Sequence, residues 1–257
     1  MMNPPYTATG FVVGALVGLT GIGGGALMTP ILILLFGIHP AVAVGTDLLC
    51  ASMTKTGGTL AHALGRTVDW RITGWLAVGS VPAAVTTLFV LSRVHNMVDV
   101  GSQLITTVLG FALIFTAIAL LFRQHILAYF VARVGELKER PAQILTILLG
   151  AALGAFVTLS SVGAGAIGVT ALLVLYPRLP TARIVGSDIA HAVPLTLVAG
   201  LGHWMLGSTD WSLLGSLLMG SLPGIAIGSY ASGRVPDWVL RSILATTLVF
   251  VGGRLVL

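Results

Sequence analysis

One stretch of this chain occurs twice, and both copies are apolar enough to lie in a lipid bilayer. Val44 to Pro82 aligns with Val185 to Pro223 at a constant offset of 141, without a gap, and 13 of 39 positions are identical. Val-Gly-Thr-Asp (44–47) returns as Val-Gly-Ser-Asp (185–188), followed by His62/His203, Asp69/Asp210, Trp70/Trp211, Gly74/Gly215, Gly79/Gly220 and Pro82/Pro223. At offset 140, Gly-Ile-Gly-Gly-Gly-Ala (21–26) falls on Ser-Val-Gly-Ala-Gly-Ala (161–166). A duplicated apolar chain broken by glycines is the pattern from which secondary transporters are built.

Composition sets the solvent. The 257 residues are 56% hydrophobic and 8% charged, whereas a soluble domain carries about 25% charge. The pattern is that of an all-α polytopic membrane protein, with a prokaryotic cell (inner) membrane as the expected location. The net charge of +5 does not point to nucleic acid, because the basic residues are scattered over short connections, where they act as topology signals. A single cysteine, Cys50, leaves no intramolecular disulfide and no zinc-finger spacing. The opening Met-Met-Asn-Pro-Pro-Tyr lacks a basic leader region, so the first apolar segment is expected to be retained.

Eight apolar blocks can be read: 10–37, 40–65, 70–91, 101–122, 144–176, 180–207, 211–233 and 237–257. The first and fifth are split by glycines into arms of about 11–16 residues, which span half to three-quarters of a roughly 30 Å hydrocarbon core. If all eight blocks cross, the basic residues divide seven inside to five outside, which is barely a bias. If the broken blocks are re-entrant hairpins, six blocks cross and the second half is inverted. The inner side then holds Arg66, Arg71, Arg123, Arg133, Lys138, Arg140, Arg178, Arg183, Arg234 and Arg241. The outer side keeps Arg93 and Arg254, a clear positive-inside distribution with both termini outside. The favoured reading is therefore two inverted repeats, each a glycine-broken hairpin plus three transmembrane helices. These are residues 1–122 and 144–257, joined by a cytoplasmic linker at 123–143. In that linker Ile126, Phe130, Val131, Val134 and Leu137 recur at helical spacing, which fits an in-plane interfacial helix or an ordinary connection.

The glycine breaks are the first candidates for chemistry. Non-helical backbone at membrane depth is tolerated only where protein buries it or a wet cavity borders it. A helix restarting at Ala26 or Ala166 turns free N–H groups and its positive end toward the break, and glycine lets a ligand come close. Gly23, Gly24, Gly25, Gly163 and Gly165 are thus candidate substrate contacts. Gly14, Gly18, Gly150 and Gly154 serve equally well as close-packing residues.

Asp47 and Asp188 are the paired acids within apolar sequence. Insertion of a carboxylate at the helix centre costs on the order of 2.5–3.5 kcal/mol, so such an acid is a functional candidate by default. Low dielectric disfavours its charged form and makes proton uptake a natural role; helix capping is the competing one. Lys55 follows Asp47 by two turns, has Thr196 as its repeat counterpart, and can attract an anion. His191 stands one turn from Asp188 and can share its proton. His62 and His203 read as interfacial anchors, and Asp69, Trp70 and Trp211 as boundary residues of an aromatic belt. Pro82 and Pro223 are expected to kink the third crossing of each half. No P-loop, His-Glu-x-x-His or Gly-x-Ser-x-Gly pattern is present, so neither an ATP-driven pump nor an enzyme is indicated, and no cofactor is expected.

On Gly21 to Pro30 (Gly-Ile-Gly-Gly-Gly-Ala-Leu-Met-Thr-Pro), Ala43 to Asp47, and the decayed copy from Ser161, the chain resembles the sulfite exporter TauE/SafE family over nearly its whole length. The resemblance implies a secondary carrier for small sulfur-containing or organic anions such as sulfite, sulfonate, sulfoacetate or thiosulfate, coupled to protons. It carries the family's glycine motif onto Gly21, Gly23, Gly24, Gly25 and Pro30, and the following segment onto Gly45, Thr46, Gly186 and Ser187. Small hydroxyl residues are the family's usual pattern where Asp47 and Asp188 stand, and acids there suggest proton coupling or a cation.

The leading expectation is an anion carrier that meets a small anion, protons and lipid. Gly23, Gly24, Gly25, Thr46, Gly163, Gly165, Ser187 and Lys55 would contact substrate, and Asp47, Asp188 and His191 would handle protons. A divalent-metal or other cation permease using Asp47, Cys50, Asp188 and His191 is the first alternative. A non-transporting membrane assembly protein is the second. Monomer and homodimer are equally compatible with the sequence. Labelling of cysteines introduced in loops 38–39 and 178–183 with an impermeant reagent separates the two topologies. The hairpin arrangement puts the loops on opposite faces, and eight crossings put them on the same face.

Overall fold

The computed structural model describes residues 3–20, 25–94, 98–125, 127, 129, 138–163, 165–231 and 237–256. Among them are ten α-helices of ten residues or more: α1 (Pro4–Thr20), α2 (Gly25–Leu34), α3 (Pro40–Leu64), α4 (Trp70–Val94), α5 (Val98–Leu121), α6 (Glu139–Ser160), α7 (Ala166–Leu175), α8 (Thr181–Met205), α9 (Trp211–Ala231) and α10 (Asp237–Val256). Helices α4, α6, α8 and α9 are long and apolar enough to cross a membrane. Phe89, Phe115, Leu148 and Phe250 stand exposed on the outside. Rows of large exposed hydrophobics are a liability in water and the expected surface toward lipid. The chain is an all-helical membrane protein.

The same turn closes α3 and α8. The backbone N–H of Thr67 reaches back to the His62 carbonyl at 2.9 Å, and that of Ser208 to His203 at 2.8 Å. Each turn passes through one left-handed residue, Arg66 with φ 53° and Gly207 with φ 74°, as a six-to-one helix stop requires. The next helix then starts on a side-chain cap. Asp69 Oδ1 accepts from Arg71 and Ile72 N–H at 3.1 and 3.3 Å. Asp210 does the same for Ser212 and Leu213 at 2.8 and 3.0 Å. Asp69 is therefore a helix N-cap as well as a boundary residue, and so is its repeat partner. Trp70 and Trp211 beside them are exposed.

Glycines let the two halves interlock. Gly10, Gly14 and Gly18 of α1 lie against the backbone of Leu217, Ser221 and Ile225 of α9. Gly150 and Gly154 of α6 lie against Leu76 and Ser80 of α4, in the equivalent pairing. Residue numbers rise together in both pairs, so α1 runs parallel to α9 and α6 to α4. Helices α3 and α8 run antiparallel, with Gly45 against His203 and Gly186 against His62. The flanking glycines are close-packing residues, as small residues at membrane helix interfaces generally are.

Both broken blocks fold back on themselves. The Tyr6 ring at the start of α1 meets Phe36, just past α2, edge-on with centroids 4.9 Å apart. The Thr146 hydroxyl in the second turn of α6 lies 2.8 Å from that of Tyr176, just past α7. The start of α6 differs from expectation. Helix α6 begins at Glu139, not near Ile144, and its 22 residues exceed the arm length read from hydropathy. The extra turn is polar, and Glu139 makes an ion pair with Arg71 at the start of α4; hydropathy could not register a turn held by charge. The in-plane helix expected over 126–137 falls almost wholly outside the described residues.

A matched set of substitutions tests the interlock. A Cβ on Gly79 would strike the Ile147 carbonyl and one on Gly220 the Thr7 carbonyl, whereas Gly74 and Gly215 have no atom within 4 Å. Gly79→Ala and Gly220→Ala should each destabilise the protein by about 1–3 kcal/mol. Gly74→Ala and Gly215→Ala should leave the melting temperature in detergent unchanged.

Candidate functional site

The Val-Gly-Thr/Ser-Asp segments join the halves before they serve anything else. Gly45 admits the Ser208 carbonyl and Gly186 the Thr67 carbonyl, at distances that leave no room for a Cβ. The next residue ties the incoming turn. Thr46 Oγ1 accepts the Asp210 N–H at 3.1 Å, and Ser187 Oγ accepts the Asp69 N–H at 2.8 Å. Both hydroxyls are fully buried. They hold the caps of α9 and α4, and neither borders the cavity described below.

The two aspartates come next in the chain and differ in surroundings, although each is only 2% exposed. Asp47 is closed off. Thr29 of α2 and Ser161, at the second break, donate hydroxyl hydrogen bonds to its Oδ2 at 2.7 and 2.8 Å. Ser161 can do so because it ends α6 in a left-handed conformation, with φ 59°. Asp188 is not matched: its Oδ1 is buried without a hydrogen-bond partner and lies so close to Gly168 that any side chain there would strike it. A buried polar atom left unpaired calls for an explanation.

Asp188 also lines a cavity of about 280 Å³. Asp188 shares its wall with Lys55, with Gly165 at the second break, and with His62 at the end of α3. Val17 and Gly18, from the last turn of α1, also border it. Gly165 precedes the first residue of α7, so the positive end of that helix faces the cavity. Lys55 also stands two turns past Asp47 on α3. The site therefore offers one cation, one helix terminus and one carboxyl group.

Other candidates fall elsewhere. Gly163 takes φ 110°, a conformation that glycine adopts without strain, and sits against Phe156 and Ile167. Gly25 opens α2. Gly23 and Gly24 lie outside the described residues. His191 is buried with Nε2 2.8 Å from the Ser80 hydroxyl, and Cys50 lies 3.8 Å from the Ser221 hydroxyl. Asp47, Cys50, Asp188 and His191 do not gather: among the described residues no three His, Cys, Asp or Glu side chains converge on a metal position. His203 corrects the expectation of an interfacial anchor. It is fully buried and donates from Nε2 to the Thr158 carbonyl at 2.9 Å. Burial of one histidine and not its partner is invisible in the repeat alignment.

Comparison with known proteins gives a family and several relatives. The family model described as Sulfite exporter TauE/SafE matches residues 6–255. The chain is 38% identical to the Probable membrane transporter protein YjnA of Bacillus subtilis (strain 168), covering 99% of this chain and 100% of that protein. It is 25% identical to the Probable membrane transporter protein YdhB of the same organism, over 94% and 95% of the two chains. With the Probable membrane transporter protein MJ0441 of Methanocaldococcus jannaschii it shares 27% identity, over 82% and 75%. No solved structure matches the chain.

The unequal aspartates make a stability prediction. Asp47→Ala strands two buried hydroxyls and should cost about 1–3 kcal/mol. Asp188→Asn removes an acid whose Oδ1 is unpaired and should leave the melting temperature unchanged or raise it. Equal losses in the two variants would contradict the difference between the sites.

Proposed function

We propose, from the premise that the chain belongs to the sulfite exporter TauE/SafE family, that it carries small sulfur-containing or organic anions across the cell membrane together with protons. That it is a membrane transporter of this family's type follows from the family match and the relatives. The passenger and the coupling are the proposal. The observation that carries it is the cavity in which Lys55 and Asp188 meet beside Gly165. Lys55 and the α7 terminus attract an anion, and Asp188 takes up the proton that travels with it.

The membrane arrangement belongs to the same reading. The halves are inverted repeats with both termini outside, and α1–α2 and α6–α7 are re-entrant hairpins. The antiparallel packing of α3 and α8 supports inversion, since equivalent helices in same-facing repeats cross in one direction. The juxtaposed ends Tyr6/Phe36 and Thr146/Tyr176 support hairpins. The cavity borders His62 and Val185, close to Arg66 and Arg183, and therefore opens toward the cytoplasm in this arrangement. The metal-permease alternative loses ground, because Asp47, Cys50 and His191 each have a separate partner and no three such side chains converge among the described residues.

The test is flux into proteoliposomes of sulfite, sulfoacetate, thiosulfate and a divalent metal ion, with and without a pH gradient. At least one anion should accumulate toward the alkaline side, by up to about tenfold per pH unit for each coupled proton. Metal-ion flux without any anion flux, in liposomes active by either measure, would overturn the anion reading.

A further inference from the structure

The two halves hold one lysine between them. Gly45 packs on His203 and Gly186 on His62, so exchanging the halves maps α3 onto α8 and back. The centre of that exchange on α3 lies midway between Gly45 and His62, at Met53 and Thr54, and Lys55 is the next residue. A cation so close to the exchange centre needs no duplicate. Its repeat counterpart, Thr196, is buried and donates its hydroxyl to the Ala192 carbonyl at 2.7 Å. Asp47 precedes Lys55 by the same interval as Asp188 precedes Thr196, so the acids stand on either side of the centre. Lys55 lines the cavity with Asp188 and stands two turns past Asp47 on α3.

We infer that Lys55 is a single counter-ion shared in turn by two acid sites, by Asp188 when the cavity beside His62 is open and by Asp47 in the opposite state. The inference rests on the transport reading above. Its support is the unequal condition of equivalent groups. Thr29 donates to Asp47 at 2.7 Å, whereas Thr170, the fifth residue of α7 as Thr29 is of α2, turns its hydroxyl back to the Ala166 carbonyl, also at 2.7 Å. Asp188 borders the cavity with Lys55, and Asp47 does not border it. One half is thus closed by hydroxyls while the other faces the cation and the space for a ligand. In the opposite state Thr170 turns to Asp188, Thr29 and Ser161 release Asp47, and Lys55 balances Asp47. A small anion entering from either side competes with a carboxylate for the same ammonium.

A lysine transplant tests this. Lys55→Thr should lower anion flux by about tenfold or more, and adding Thr196→Lys should restore it to within about threefold of the parent, a non-additivity expected only for sites that share a partner. A lysine that merely braces α3 would not be replaced by one on α8. Failure of a folded, helical double variant to recover, beside an active parent, would overturn the shared counter-ion.

If the parent moves no anion, the substrate reading fails instead, and a flux-free measurement decides. Ala61 lines the cavity on an exposed stretch of α3, and the native Cys50 is buried. Labelling of Ala61→Cys by an impermeant maleimide from the basic face therefore reports opening on that side. Thr29→Val with Ser161→Ala removes the bonds that close Asp47 only in this state, and should reduce labelling by about fivefold. Thr170→Val should not reduce it. Equal labelling in all three proteins would overturn the inference.

Discussion

Lipid offers no hydrogen bonds, so backbone freed where an apolar helix is interrupted has to be paired by the protein itself. The rest of this architecture follows from that constraint. The second break is closed by its own residues: Ser160 accepts the Val162 N–H at 3.2 Å, and Ser161 reaches across to Asp47 at 2.8 Å. Helices can shelter such a segment only by coming very close, which the glycines of α1, α4, α6 and α9 permit. Broken helices, glycine seams and buried acids are three consequences of one requirement.

The same closeness makes the cross-half bonds rigid. Gly45 and Gly186 admit the partner half's carbonyl, and Thr46 and Ser187 then hold the N–H of the aspartate that caps the following helix. Two turns, two caps and two interhelical seams are thus fastened at a pair of four-residue segments. With the scaffold so fixed, the difference between Asp47 and Asp188 is not a matter of loose packing. It is a difference of hydrogen-bond partners between two equivalent segments.

Much of this was legible in the sequence, and the gaps have identifiable causes. The breaks at Gly21–Gly25 and Ser161–Gly165 were visible because glycine clusters interrupt apolar runs, and described helices stop or restart at Thr20, Gly25, Ser160 and Ala166. The acids stood out because a carboxylate is expensive in apolar surroundings. Thr46 and Ser187 read as substrate contacts because the family resemblance carried its motif onto them; their actual partners lie more than a hundred residues away. Asp69 read as part of an aromatic belt because Trp70 follows it, although an aspartate before a helix is also a cap signal. The polar first turn of α6 escaped a hydropathy reading because an ion pair with Arg71 holds it.

By itself the sequence determined the duplication, the positions of the breaks and the pairing of two buried acids, because identity at constant offset and charge within apolar runs are properties of linear order. It also carried the family, through motifs that recur in the right succession. Only the tertiary structure decided which acid is sealed by hydroxyls and which faces the cavity, and that Lys55 lies near the centre on which the halves exchange. Those outcomes depend on the angles at which α3 and α8 cross and on the direction of single hydroxyl groups. Two equivalent segments of nearly the same sequence can differ in both.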